Sequence, residues 1–592
     1  MPGIFGLFSK RDSAAGPLLR LRAGLLAAPM QHESWLQTEL WSDDHFCGGR
    51  VHLGVLNPAA QPIQTPGSAA ISFFDGEVYR DGAPQPTPDA AEIASWLESP
   101  RRLAPVDAQF ACFSYDPAAR KLTLLSDRLG TRPVYTLDTP DFFAFASEAK
   151  CLLPLCPAAP ELDEVGLMQY ISFGWILSDR TWWSSIKVLP SATALEITPE
   201  GMTRSTYWSF AEIPAVPGAS DEELEEEFGR LWAKSVAQRS RPCRSPFLLS
   251  GGLDSRVLLA EMAAQGQSMT AITFGAPESS DLAIAKTVAE AAGVEHRIFP
   301  LTTENWWDGR ERAVWQTDAG VAATHLHVAA VCEALHGGNR YSPMNFMGDV
   351  IFGGSFLRSQ SSQTWPHSLP DLLRPFFVEN PFYSFEQVVE ASRPDLLADC
   401  VGPSSDCFWL RRRAARFTLN GPLASASYCE TVFPSLSLPL LHLAYGALTD
   451  EKRKGNQFYG RVLLKRYPRF FRDIPWQRSR PKNSEASASS TVLRKVRGLG
   501  RRIRQLVRGA DQLKPGIANY DPLVREHLRE MLGQPAPWLL DQRLAGRVSP
   551  WLRSFVEGEG TASTAANLLT AELYFRRCQQ SLWSVLPHPG HG

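Results

Sequence analysis

A chain of 592 residues is too long for one hydrophobic core, so two or more domains are expected. Hydrophobic residues make up 44%, charged residues 21%, and the net charge is −2, an ordinary globular balance that points to neither a nucleic-acid partner nor an acidic surface. The ten cysteines are scattered without a CxxC pair, no apolar run reaches bilayer length, and the first residues lack a signal-peptide pattern; reduced thiols in a cytoplasmic protein with no membrane span are the expectation.

In chain order, the part up to about residue 205 is a series of short β-type runs at 70–74, 110–115, 122–126 and 142–146. Asp75-Gly76, Asp116-Pro117 and Leu129-Gly130 read as the turns between them, which predicts an antiparallel, sheet-based domain. Residues 213–220 (IPAVPGAS) read as a linker. Ser220 followed by three acids predicts a capped helix to about Arg239. Then come a strand at 246–249, a loop at 250–255, a helix at 257–264, a strand at 269–274 and a helix at 282–292. That alternation is the grammar of a parallel α/β sheet. The remainder reads as mainly helical, with a small-residue stretch at 484–490.

The loop Ser250-Gly251-Gly252-Leu253-Asp254-Ser255 carries the sharpest chemistry. Two glycines let backbone approach a pyrophosphate, and the following helix offers its N–H groups and positive dipole end. Ser250 and Ser255 add hydroxyls, and Asp254 can hold Mg²⁺. There is no lysine, so this is not the GxxxxGK[ST] loop. It resembles the SGGxDS motif of the PP-loop ATP pyrophosphatases.

Further segments resemble the asparagine synthetase B family, in that family's order. They are Met1–Gly6 (MPGIFG), Asp75–Tyr79 (DGEVY), Ser126–Tyr135 (SDRLGTRPVY), Phe145–Lys150 (FASEAK), Ile186–Pro190 (IKVLP), Phe274-Gly275 with Asp281, and Gly348–Gly354 (GDVIFGG). The match is good over about 1–360 and thins afterwards. The resemblance implies an N-terminal αββα sandwich like that of the N-terminal-nucleophile (Ntn) amidohydrolases over 1–205, and over 206–592 an α/β PP-loop synthetase domain with helical C-terminal additions. It implies contact with ATP through Leu249, Ser250, Gly251, Gly252, Leu253, Asp254, Ser255, Phe274 and Gly348, and Mg²⁺ held by Asp254 and Asp349. Glu430, in a segment similar to the family's ExRxP with Val432 at the arginine position, and Lys482 are implied as catalytic.

The departures from the family pattern are as informative. Its glutamine-hydrolysing members use a cysteine at the second position, where this chain has Pro2. Asp75 replaces the oxyanion-hole asparagine, and a carboxylate there repels a developing oxyanion. Gly48–Arg50 is no clear counterpart of the RGPD segment, and Asp89 is a weak match to the aspartate that binds the glutamine amine. A dead glutaminase is expected, as in the related β-lactam synthetases and lasso-peptide cyclases. Phe346 stands three residues ahead of Asp349, where the family writes Glu, Tyr or His, and cannot take a proton.

The reaction implied is carboxylate activation by ATP and Mg²⁺, then attack by ammonia or an amine on a small-molecule or peptide carboxylate. An intramolecular lactam-forming cyclase and a non-catalytic nucleotide-binding protein are the alternatives, and a homodimer stays open. The basic amphipathic stretch 493–508 and Arg411-Arg412-Arg413 read more simply as packed or solvated helix than as partner sites. His325 and His327 could line the acceptor site but lack the spacing of a metal pair.

Overall fold

The computed structural model describes residues 2–11, 16–65, 67–81, 87–241, 244–336, 339–359, 368–396, 403–475, 521–534, 538–558 and 562–581. Lys482, the 484–490 stretch and the basic segment 493–508 lie outside the described residues.

Twelve strands precede the 213–220 connection: β1 (Gly3–Ser9), β2 (Gln37–Ser42), β3 (Phe46–His52), β4 (Ile63–Gln64), β5 (Ile71–Tyr79), β6 (Asp107–Asp116), β7 (Lys121–Ser126), β8 (Tyr135–Asp138), β9 (Phe142–Ala146), β10 (Ile186–Val188), β11 (Thr193–Thr198) and β12 (Gly201–Thr206). They form two six-stranded sheets, in the orders β10-β8-β9-β1-β3-β2 and β12-β11-β7-β6-β5-β4, and their pairings are antiparallel.

Alternation along β1 explains the layering. Ile4 and Phe8 point between the sheets, onto Phe46, Phe73, Phe113 and Phe145. Phe5 and Leu7 point the other way, into the cluster that includes Leu19, Ala23 and Leu26 of helix α1 (Gly16–Ala27). On the second sheet, Phe110 stacks on Trp96 of helix α2 (Ala90–Glu98), with ring centroids 5.9 Å apart. β1, β3, β5, β6, β7 and β9 are buried on both faces, which is why the runs at 70–74, 110–115, 122–126 and 142–146 read as continuous apolar stretches rather than alternating ones.

Asp75-Gly76 is not a turn. β5 runs straight through it, with Asp75 opposite Ala111 and Gly76 opposite Phe110. Gly76 has φ +142°, and a Cβ there would sit 2.2 Å from the Gln109 carbonyl oxygen. The glycine serves close strand approach, not chain reversal.

Helix α3 (Glu164–Phe173) follows β9, and helix α4 (Asp221–Gln238) begins on a full capping box, Ser220 with Glu223. β13 (Ser245–Leu248), helix α5 (Leu253–Ala264), β14 (Met269–Gly275), helix α6 (Ser280–Ala292) and β15 (Glu295–Pro300) form a parallel three-stranded sheet with two crossovers. A second parallel pair, β16 (Tyr341–Pro343) and β17 (Glu430–Val432), packs with β16 beside β13. No described helix is long and apolar enough to cross a membrane.

Candidate functional site

The packing of β16 beside β13 sets up the first site. β13 pairs with β14, and β16 packs beside β13. A crevice opens at the C-terminal ends of adjacent strands whose connections diverge, and α/β proteins bind ligands there. Ser250–Ser255 leaves the end of β13, and Asn345–Asp349 leaves the end of β16.

The two chain segments meet at Asp254. Its Oδ1 accepts from Tyr459 Oη at 3.2 Å, and its backbone carbonyl accepts from Asn345 Nδ2 at 3.1 Å. A Cβ on Gly348 would lie 2.7 Å from Asp254 Oδ1 and 2.5 Å from Tyr459 Oη, so only glycine lets the second loop come this close. Burial, and then the adjacent Asp349 carboxylate, push the Asp254 carboxyl well above the usual range. Like charges held side by side favour a cation between them, and carboxylate oxygens are the donors that Mg²⁺ prefers. Among the described residues no cluster of three or more His, Cys, Asp or Glu could hold a metal. Two aspartates suit an ion that completes its shell on a nucleotide.

The loop itself is pre-shaped. Ser255 Oγ lies 2.9 Å from Ser250 Oγ, and the backbone N–H groups of Ser250 and Gly252 donate to Ser255 Oγ and Ser250 Oγ. Gly251 N–H donates to Asp281 Oδ1 at 2.6 Å. Leu249 is buried beneath the loop. Phe274 lies on the next strand, with its ring 6.3 Å from that of His327. Phe346 is 37% exposed, and Asn345 is the residue of that segment that reaches Asp254.

A second set of predicted residues gathers elsewhere. Pro2, Asp75, Arg132, Ser147 and Glu430 line one cavity of ≈ 20 Å³, room for about one water. Arg132 bridges it, donating to Asp75 Oδ2 at 2.8 Å and to Glu430 Oε2 at 3.1 Å. Glu430 is 3% exposed. Burial pushes Glu430 up to about 7; Arg132 pulls it down and the Asp75 carboxylate pushes it up again. The two carboxylates hold the Arg132 guanidinium charged despite its burial. Glu430 opens β17 opposite Tyr341, whereas Asp254 meets the segment beyond the other end of β16.

Other residues singled out in the sequence have local surroundings as follows. Asp89 caps α2 by accepting from Glu92 N–H. Arg50 is buried and donates to Glu39 and to the Ala59 carbonyl. The eight described cysteines are free and buried. His325 and His327 are both pushed down by burial and by nearby arginines, His325 to about 4. In the Phe145–Lys150 run, Ser147 Oγ accepts from Ile4 N–H and Lys150 reaches Asp318, so these residues tie the sheets to the chain beyond. Arg132 and Tyr459 carry no spacing signal that marks them. Their partners lie 298 and 205 residues away, and only folding pairs them.

Two family models match: glutamine amidotransferase domain over residues 99–208 and asparagine synthase over 229–412. The chain is similar to asparagine synthetase [glutamine-hydrolyzing] 1 of Bacillus subtilis, 28% identical over 34% of this chain and 33% of that protein. It is also similar to the rat asparagine synthetase, 24% identical over 51% and 57%. A short stretch is 48% identical to 7-cyano-7-deazaguanine synthase of Psychrobacter cryohalolentis, over 9% of this chain and 22% of that one. The matched region thus spans about a third of the length of the bacterial synthetase. Among solved structures, the B. subtilis glutamine phosphoribosylpyrophosphate amidotransferase aligns over 50% of this chain and 81% of its own at 11% identity, with a TM-score of 0.24, too low to bear on the fold. Both family models, in sequence, and these relatives support an asparagine synthetase-like family for the chain.

Proposed function

We propose that the protein is an ATP-dependent ligase that joins a carboxylate to an amine or ammonia and does not hydrolyse glutamine. The observation that carries this reading is the Asp254–Asp349 pair at the mouth of the Ser250–Ser255 loop. In this reading residues 1–205 are a degenerate Ntn-type amidotransferase domain and residues 206–592 the PP-loop ATP-pyrophosphatase domain. ATP is cleaved between its α and β phosphates, the carboxylate becomes an acyl-adenylate with release of pyrophosphate, and the amine displaces AMP.

Each residue has a bounded task. The Gly251–Gly252 backbone and the first turn of α5 bind the phosphates. Leu249, Leu253, Phe274 and Gly348 shape the nucleotide pocket. Asp254 and Asp349 would hold Mg²⁺, which when bound neutralises charge on the departing pyrophosphate. Tyr459 and Asn345 fix Asp254 in place. Glu430 is assigned to proton transfer in the ligation step on its motif; its carboxyl is pushed up to about 7 and is bonded to Arg132. Lys482 is assigned to stabilising charge in the ligation step on its motif alone.

The absence of glutaminase activity rests on Pro2 in place of a thiol and on Arg132 spanning the cavity to which Pro2 contributes. A lactam-forming cyclase would use the same ATP-dependent activation and carry amine and carboxylate on one substrate. The deciding experiment is pyrophosphate release from ATP and Mg²⁺ by wild type and Asp254→Ala. Candidate carboxylates would be paired with ammonium, a primary amine and glutamine in turn. Release that needs Asp254 and an amine but ignores glutamine supports the reading. Glutamine-driven turnover overturns the inactive amidotransferase, and failure to bind ATP at all favours a protein that only inherits the fold.

A further inference from the structure

Arg256 follows the Ser250–Ser255 loop directly, in the first turn of α5, and is 0% exposed. Among the described residues, its hydrogen bonds all go to main-chain carbonyls. Nη1 donates to Phe470 at 3.1 Å and to Ile474 at 3.0 Å. Nη2 donates to Gly251 at 3.0 Å and to Pro475 at 2.9 Å. One guanidinium thus joins the loop to a segment more than two hundred residues further along the chain.

This is a costly residue to bury. Taking the charge out of water pushes Arg256 down to about 10, with only the Asp281 carboxylate opposing. Its neighbours on α5, Val257, Leu258 and Leu259, are buried as apolar side chains, so packing by itself does not call for a charge here. The four carbonyls do. Arginine presents five N–H donors on a rigid planar fork, whereas lysine presents three on one atom.

The far partners of Arg256 belong to the chain that follows the helix Gln457–Arg466. That helix carries Tyr459, whose hydroxyl donates to Asp254. The region 457–475 therefore holds the loop at two places: at Asp254 through Tyr459, and at Gly251 through Arg256. Gly251 is held on both of its polar groups. Its N–H donates to Asp281 Oδ1 at 2.6 Å, and its carbonyl accepts from Arg256. A Cβ on Gly251 would lie 2.6 Å from Asp281 Oδ1, so the grip leaves no room for a side chain.

We infer that Arg256 is a positioning residue of the nucleotide loop, one that registers Ser250–Ser255 against the region 457–475 before nucleotide arrives. The inference rests on the reading of that loop as the ATP site. Arg256 acts through backbone and touches no phosphate itself. Its effect is on affinity: a loop ordered during folding does not have to be ordered on binding.

The test measures ATP–Mg²⁺ affinity of the full-length protein by calorimetry, far below its melting temperature. Arg256→Met should weaken binding about tenfold, and Arg256→Lys, which serves fewer carbonyls, about threefold. Arg239→Met is the control. Arg239 is equally buried and bonds Ser235 and Asp107 but no residue of the loop. It should lower the melting temperature and leave ATP affinity as in wild type. A second measurement needs no variant: coupling is reciprocal, so ATP should slow amide hydrogen exchange across residues 470–474 of the wild type. Wild-type affinity in a folded Arg256 variant overturns the inference. So does an equal loss in Arg239→Met, or exchange at 470–474 that ATP leaves unchanged. A wild type that binds no ATP overturns the ligase reading as well, whereas each of the other failures overturns the role of Arg256 alone.

Discussion

Two polar pockets in this molecule solve the problem of buried carboxylates in opposite ways. At the end of β13, Asp254 and Asp349 stand together, steadied by a tyrosine and an asparagine, and among the described residues no basic side chain is bonded to Asp254. Behind Pro2, Asp75 and Glu430 also stand together, with Arg132 between them. The first arrangement sets two like charges against each other, with burial and Asp349 both pushing the Asp254 carboxyl up. The second supplies its own cation and leaves a cavity of only ≈ 20 Å³. Carboxylate pairs alone therefore do not mark an active site.

The contrast breaks first at Asp254. Asp254→Ala should lower ATP-dependent pyrophosphate release roughly a thousandfold, the loss of several kcal/mol of charge stabilisation. Unchanged turnover would remove the aspartate pair from the mechanism.

Next is Arg132→Leu, which leaves two buried carboxylates without their cation. It should cost about 3–5 kcal/mol in denaturant unfolding, and adding Asp75→Asn should return part of it. Equal stability of the single variant and wild type would mean that the bridge is not what fills the pocket.

Glu430 gives the pH signature. Its folded-state pKa is raised, from 4.5 to about 7, so its contribution to stability is complete below about 4.5 and is lost as pH rises through 7. Wild type should lose up to about 3 kcal/mol across that window relative to Glu430→Gln, measured by unfolding at a series of pH values. Parallel pH curves for the two proteins would place the titration elsewhere.

Smaller effects sharpen the boundary between the regions. Ser220→Ala removes the cap that opens α4 after the linker and should cost about 1 kcal/mol in thermal unfolding, without touching either pocket. Pro2→Cys should produce no glutamate from glutamine at all, because Arg132 still spans the cavity. Glutamate release from that single variant would show that the pocket has kept its old shape.

Much of the scaffold was legible from local signals. The Ser220 cap, the β13–α5–β14–α6 alternation and the Ser250–Ser255 loop follow from capping chemistry, apolar periodicity and glycine placement, all of which act over a few residues. The misreading of Asp75-Gly76 as a turn has the same root. Asp-Gly favours a turn when nothing else intervenes, but here Gly76 is demanded by Phe110 on the neighbouring strand. Family-level motifs singled out Asp254, Asp349 and Glu430, yet they assigned Glu430 no partner and passed over Arg132 and Tyr459.

By itself, then, the sequence determined which segments become strands and helices and where the glycine-containing loop between β13 and α5 falls, because those outcomes depend on neighbours along the chain. The tertiary structure decided which charges meet. It set Asp254 against Asp349, closed the Pro2 cavity with Arg132, and brought Arg256 onto the carbonyls of Gly251, Phe470, Ile474 and Pro475. Electrostatic interaction depends on distance and burial rather than on position in the chain, and both are fixed only when the sheets and helices pack.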